Sequence, residues 1–285
     1  MGGSLFSQPW RAVPQSKESL DFVKSYQPKN KQVKHLRILL HGPVGAGKSS
    51  FISSVDSVLQ GRVTCRALPD ATSGGSFTTR YKTYKISNTD QETFYPFIFN
   101  DIMGFEPNAH SGVHVEDIKL ALMGHVKEDY KFIPGNRLTK NDIGFNSSPT
   151  LDDKVHVLVS VLPANTASVL EDDVVKKMRD VRLAASDMGI PQITLLTKTN
   201  EACPKVKENI KNTYTSKYLK QKVDQLHVRL GIPKNCIFLV ENYSVKNQMN
   251  DDMDAQILCA LRQMIEFGED YINHLHDGCT DETDS

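Results

Sequence analysis

An α/β fold, built on a mainly parallel six-stranded sheet flanked by helices, is what the sequence predicts, and three observations carry that prediction. From Leu36 onward, short apolar runs alternate with longer amphipathic stretches, the pattern of repeated β-α-β units. The first apolar run leads directly into a glycine-rich turn and then a helix-like segment. The composition is that of a folded chain: 285 residues, 39% apolar and 24% charged, with 34 basic against 34 acidic residues. These proportions exclude a disordered or collagenous chain. No uninterrupted apolar run reaches the roughly 18 residues of a membrane-spanning helix. A formal charge of zero provides no long-range field to recruit nucleic acid or an anionic membrane.

Taken in order, residues 1–34 read as an N-terminal arm outside the core. They are polar, carry Pro9, Pro14 and Pro28, and end in a cluster of Lys29, Lys31 and Lys34. The only tryptophan, in Pro9-Trp10-Arg11, reads as a plug that docks the arm onto the domain. The start lacks the basic flank and apolar core of a secretory signal. N-myristoylation is not expected, because the pattern opened by Met1-Gly2 wants Ser or Thr where Phe6 stands.

The core domain is assigned to residues 35–275. Its strands are predicted at 36–41, 81–87, 95–100, 155–162, 192–197 and 237–241. Its helices are predicted at 48–60, 115–123, 171–188, 205–230 and 252–275, the last from Ile257, Leu261, Met264, Ile265 and Ile272 recurring at helical spacing. Residues 124–154, rich in Gly, Pro, Asn and Asp, break the alternation and read as an insertion loop. Residues 276–285 read as an acidic tail. Cys65, Cys203, Cys236, Cys259 and Cys279 are odd in number and scattered without CxxC pairs, which points to reduced thiols and a cytoplasmic location.

The chemistry starts at Gly42-Pro43-Val44-Gly45-Ala46-Gly47-Lys48-Ser49, which matches G-x-x-x-x-G-K-[ST] at every fixed position between a strand and a helix. Glycines let successive N–H groups turn inward around phosphate oxygens, and the helix N-terminus adds positive potential. Lys48 neutralises β- and γ-phosphates and the Ser49 hydroxyl ligates Mg²⁺. The phosphate cradle is therefore assigned to Gly42, Gly45, Ala46, Gly47, Lys48, Ser49 and Ser50. Asp101-Ile102-Met103-Gly104 follows the third strand, where P-loop proteins hold the Mg²⁺ shell with an Asp and meet the γ-phosphate with a Gly. Between the two, residues 72–80 occupy the place of a switch segment, whose metal-closing threonine is Thr79, with Thr78 as the alternative.

Thr197-Lys198-Thr199-Asn200 stands at the end of the fifth strand, in the place of the guanine-reading [NT]-K-x-D element, and assigns Thr197, Lys198 and Asn200 to the base. The carboxylate of that element accepts two hydrogen bonds from guanine. An amide at Asn200 offers one acceptor and one donor, which weakens guanine and better suits xanthine. Asn242, in Glu241-Asn242-Tyr243-Ser244, stands where a further loop backs the base. In this order the elements describe a P-loop NTPase with a Ras-like G domain, binding GTP or GDP with Mg²⁺. Phe105 occupies the position of the Gln that orients attacking water. Hydrolysis is therefore expected to be slow, with acceleration from a partner, from self-association, or from Arg80 or Arg66. No catalytic residue is assigned.

With Pro9-Trp10-Arg11, the phosphate loop, Ser76-Phe77-Thr78-Thr79, Asp101-Ile102-Met103-Gly104, Gly189-Ile190-Pro191-Gln192, Thr197-Lys198-Thr199-Asn200 and Glu201-Ala202-Cys203-Pro204 in view, the chain resembles the interferon-induced protein 44 family from about Pro9 to Leu275. The resemblance implies a cytoplasmic, interferon-induced protein of the innate antiviral response, with protein partners or self-association. Family members often end the base-reading element in Asp, so Asn200 is a departure. A rival reading is a catalytically inactive interaction scaffold that keeps the fold and acts through residues 124–154 or the helix after Lys205. An ATPase or nucleotide kinase fits the loop but leaves residues 197–200 unexplained. Lys205, Lys207, Lys211, Lys217, Lys220 and Lys222 read as a solvated helix face, because no aromatic pair interleaves them for base stacking.

Overall fold

A computed structural model describes residues 4–65, 67, 79–88, 93–106, 112–167, 170–244 and 248–277. Six strands, β1 (Leu36–His41), β2 (Lys82–Ser87), β3 (Phe94–Asp101), β4 (Val157–Pro163), β5 (Gln192–Thr197) and β6 (Ile237–Leu239), form one sheet in the order β2-β3-β1-β4-β5-β6. Among the described strands only β2 runs antiparallel, against β3. The remaining pairs are parallel, with registers such as Leu36↔Phe97, Ile38↔Val157, Leu158↔Gln192 and Thr194↔Ile237. This is the strand order of a Ras-like G domain, with an antiparallel edge on an otherwise parallel sheet.

The sheet is apolar on both faces because helices cover both. Alternate residues of one strand serve opposite sides. Leu36, Ile38 and Leu40 of β1 and Val157, Val159 and Val161 of β4 pack with α2 (Lys48–Gln60) and α8 (Asp251–Asp277). Leu39, Leu158 and Leu162 pack with α3 (Val115–Leu122), α4 (Asp172–Asp187) and α7 (Lys217–Leu230). Helix α8 lies close on the sheet at Gly268, where a Cβ would come within 2.5 Å of a Leu36 methyl and 2.7 Å of a Val157 methyl.

The arm is not wholly outside the core. Residues Ser16–Ser25 form α1, whose Val23 is fully buried against the α2–α8 side. Glu269 of α8 receives the Tyr26 hydroxyl at 2.8 Å and the Lys29 N–H at 2.9 Å. Three prolines and a polar composition hid this helix, because only one narrow face of it is apolar. Trp10 stacks obliquely on Tyr214 with centroids 5.6 Å apart, and its backbone N–H donates to the Tyr214 carbonyl at 3.0 Å.

The helix predicted over 205–230 is broken in the structure. Short helices α5 (Thr199–Ala202) and α6 (Pro204–Glu208) and a 3-10 turn at Ile210–Tyr214 precede α7. Asn209 is extended and its side chain accepts the Lys211 N–H, while Ser216 accepts the Leu219 N–H as the N-cap of α7. The insertion is a packed loop: Phe132, Leu138 and Phe145 are buried, and Leu138 N–H donates to the carboxylate of Asp117 on α3.

His156, at the entry to β4, is buried with both ring nitrogens used. Nδ1 accepts the Arg37 N–H at 2.9 Å and Nε2 faces the Leu151 carbonyl at 3.0 Å, which requires the neutral ring. Burial, aided by the Arg37 charge, lowers its pKa to about 4. An unfolded histidine takes up a proton near pH 6.5, so this contribution is complete above that pH and is lost as pH falls toward 4. The stability advantage of the wild type over His156→Gln, measured by urea denaturation, is expected to shrink by on the order of 3 kcal/mol between pH 7 and pH 4. A gap that stays constant with pH overturns the assignment.

Candidate nucleotide-binding site

The carboxyl ends of β1, β3, β5 and β6 converge on the loop that follows β1. That loop depends on glycine where backbone meets backbone. Gly42 has φ +144°, and a Cβ there would stand 2.2 Å from the Val161 carbonyl oxygen of β4. Gly104 also lies close against the loop: its Cβ would meet Val44 N at 2.7 Å. The segment after β3 is zipped to the loop by Phe105 N–H donating to Gly42 O at 3.0 Å and Val44 N–H donating to Phe105 O at 3.2 Å.

The charged and hydroxyl groups gather inside this frame. Lys48, 2% exposed, opens α2 and turns its ammonium back to the carbonyls of Pro43 at 3.1 Å and Gly42 at 3.4 Å. Ser49 Oγ donates to Asp101 Oδ2 at 2.6 Å, both groups buried. The Ser50 carbonyl accepts from Ser54 inside α2. Hydroxyl and carboxylate oxygens are the hard donors that suit Mg²⁺. Among the described residues no three His, Cys, Asp or Glu side chains cluster as a metal site. A divalent ion at Ser49 and Asp101 would therefore complete its shell with phosphate oxygens and water.

Thr197, fully buried at the end of β5, donates its hydroxyl to Ala46 O at 2.6 Å, tying the base-side strand to the phosphate loop. Lys198 takes the left-handed conformation, φ 55°, which a lysine adopts only where its surroundings impose it. Asn242 Nδ2 donates to Gly47 O at 3.1 Å, and Asn242 Oδ1 is buried without a hydrogen-bond partner among the described residues. Asn200 is held at both ends: Nδ2 donates to Glu241 Oε1 at 2.8 Å, and Oδ1 accepts the Glu201 N–H at 2.8 Å. Glu241 is a site-lining residue that the sequence did not single out. It lies next to Asn242, but no spacing rule joins it to Asn200, 41 positions away. Burial raises its pKa, against the opposing hydrogen bond from Asn200.

The structure thus brings together Gly42, Ala46, Gly47, Lys48, Ser49, Asp101, Gly104, Thr197 and Asn242, with Asn200 joined through Glu241. Gly45, at φ 71°, faces open space at the loop's tip. The Thr79 carbonyl accepts the N–H of Phe132 in the insertion, and Arg80, exposed, donates to the Asp129 carbonyl at 2.7 Å. Thr78 and Arg66 lie outside the described residues. Phe105 is 1% exposed and meets the ring of His41 edge-on at 5.8 Å. His41 in turn contacts Ser160 Oγ at 2.7 Å, and burial, then the Lys48 charge, lowers its pKa to about 3.

No family model matches the chain. Over 255 residues it is 33% identical to human interferon-induced protein 44-like, an alignment covering 89% of this chain and 56% of that protein. Mouse interferon-induced protein 44 is 31% identical over 256 residues, 90% of this chain and 60% of the relative. Human interferon-induced protein 44 is 30% identical over 259 residues, 91% and 58% respectively. Curated homologues of this chain are named interferon-induced protein 44 and interferon-induced protein 44-like. The chain spans 56–60% of the length of these relatives. Among solved structures it is similar to Toc33 from Arabidopsis thaliana in complex with GDP and Mg²⁺, at TM-score 0.47 and 14% identity, covering 90% of this chain and 93% of that one. It is also similar to a probable GTP-binding protein engB, at TM-score 0.40 and 15% identity, covering 81% and 98%.

The tie between strand and loop can be weighed directly. Thr197→Val keeps the side-chain shape but takes the hydroxyl away from the buried Ala46 carbonyl. An expected loss of about 1–3 kcal/mol follows, read as a lower urea midpoint with unchanged slope. No measurable loss would show that the bond stabilises nothing.

Proposed function

We propose that this chain is a GTP-binding, interferon-inducible protein of the innate antiviral response, cytoplasmic, whose GTP hydrolysis is weak or depends on a partner. The observation that carries the nucleotide reading is the phosphate loop itself, held in cradle form by backbone contacts to β4 and to the segment after β3. In this reading Gly42, Gly45, Ala46, Gly47 and Ser50 supply the cradle, and Lys48 turns from the loop carbonyls to the β- and γ-phosphates. Ser49 and Asp101 hold Mg²⁺, joined by Thr79, and the ion supplies charge neutralisation along the phosphates. Gly104 meets the γ-phosphate. Thr197, Lys198, Asn200 and Asn242 surround the base. The names of the relatives support the interferon-inducible part.

The hydrolysis part rests on Phe105. A phenyl ring buried against His41 cannot orient water, and its backbone is bonded into the phosphate loop. The same observation favours a second reading, an interaction scaffold that keeps the fold and turns over nothing. Both allow protein partners or self-association. Among the described residues no helix is long and apolar enough to cross a membrane.

Titration calorimetry with Mg²⁺ and GTP, GDP, ATP or XTP, alongside Lys48→Ala, separates the readings. Lys48→Ala deletes charge-assisted bonds worth about 1.5–3 kcal/mol, so triphosphate affinity is expected to fall about 10–100-fold. Single-turnover hydrolysis without a partner is expected near or below about 10⁻³ s⁻¹. No binding of any nucleotide at millimolar concentration overturns the switch reading and leaves the scaffold.

A further inference from the structure

The Watson–Crick edge of guanine offers two adjacent donors, N1–H and the exocyclic amine, and reading it needs two acceptors side by side. A carboxylate provides them and an amide does not. At the end of β5 the residue in the reading position is Asn200, and each of its ends already carries a hydrogen bond. Its amine is committed to Glu241 Oε1 at 2.8 Å and its carbonyl to the Glu201 N–H at 2.8 Å.

Glu241 is a carboxylate in the right neighbourhood. It follows β6 and precedes Asn242, which bonds the phosphate loop at Gly47. Its own N–H donates to Gln256 Oε1 at 3.1 Å, and Gln256, 4% exposed on α8, donates onward to the buried hydroxyl of Thr213 at 3.2 Å. The backbone that presents Glu241 is thus fixed from behind by a buried polar chain. Among the described residues its carboxyl forms no ion pair; burial raises its pKa, and the hydrogen bond from Asn200 opposes that rise. An uncompensated carboxylate in a half-buried site weakens the fold unless a ligand uses it. With Asn200 on one lone pair of Oε1, the second oxygen and the remaining lone pairs stay available.

We propose that Glu241 is the guanine-reading carboxylate of this chain, with Asn200 as the positioning residue that orients it. The carboxylate has moved from the end of the β5 element to the loop after β6, and the Asn200–Glu241 hydrogen bond keeps it at the same edge of the base. This rests on the nucleotide-binding reading above and reverses what Asn200 alone implies. A xanthine base turns a carbonyl oxygen toward Glu241 where guanine turns an amine, so xanthine is rejected. Inosine lacks the amine and keeps one of the two contacts.

The test titrates Mg²⁺ with GTP, ITP, XTP and ATP into the wild type, Glu241→Gln and Asn200→Ala, with thermal midpoints recorded for each. The wild type is expected to bind GTP about 10-fold or more tighter than ITP, and more tightly still than XTP or ATP. Glu241→Gln is expected to bring GTP and ITP within about twofold and to raise XTP relative to GTP. Asn200→Ala is expected to narrow the GTP preference while keeping its direction, which a reader at position 200 would not do. If Glu241→Gln lowers the thermal midpoint, Glu241→Asp, which keeps the charge on a shorter stem, is expected to retain GTP over XTP with a smaller margin; equal affinities there overturn the proposal. A GTP preference unchanged in Glu241→Gln, or an XTP preference in the wild type, also overturns it. Failure of all four nucleotides to bind the wild type sinks the nucleotide reading itself, a different result from loss of base preference.

Discussion

The contact on which the site depends is the approach of the Gly42 backbone to the carbonyl of Val161. No side chain can be placed there, since a Cβ would fall 2.2 Å from the oxygen, and that closeness sets the loop after β1 directly over the end of β4. Once the loop is there, its neighbours follow. Gly104 can slide under Val44, Phe105 can exchange hydrogen bonds with Gly42 and Val44, and Thr197 can reach Ala46. The loop is therefore shaped by the sheet, and its geometry exists before any ligand arrives. Preorganisation of this kind lowers the ordering cost of binding.

The same packing decides which polar groups sit in low dielectric. Lys48, Ser49, Asp101, His41 and Thr197 are all buried at the carboxyl edge of a sheet that is otherwise apolar. Each has a specific partner: loop carbonyls for Lys48, a carboxylate for Ser49, a serine for His41. His41 stays neutral because burial and the Lys48 ammonium both oppose its protonation. Concentrating buried polar groups here is costly, and it is the pattern of a binding site rather than of a stable core. Phe105 is the exception: it adds a buried apolar ring beside His41.

Around this centre the periphery is held by polar ties. Glu269 bonds both Tyr26 and Lys29, fastening α1 to α8, and Arg11 donates to the carbonyls of Ile237 and Lys234 beside the edge strand. The insertion is joined to residues 79–81 by Phe132 N–H on Thr79 O and Tyr81 N–H on Tyr130 O. These bonds lie just before β2, whose Lys82 pairs with Asp101 of β3.

Strand and helix positions in the core were legible from the chain because burial on two faces writes them as dense apolar runs: β1, α2 and β5 stand where the periodicity put them. The phosphate loop was legible because its glycines, lysine and serine are needed at fixed local spacing, and the resemblance to interferon-induced protein 44 is met by homologues of that name over nine-tenths of the chain. What failed was local in a different way. Helix α1 has one narrow apolar face, and the break at Asn209 and Ser216 depends on side-chain caps that periodicity does not register. The base end needed the fold itself. Asn200, read alone, argues against guanine, and only the parallel pairing of β5 with β6 brings Glu241 to its amide. By itself the sequence determined the architecture and the place of the phosphate-loop motif, since both are encoded in residues adjacent along the chain. The tertiary structure decided which carboxylate meets Asn200, because that depends on a contact between residues 41 positions apart.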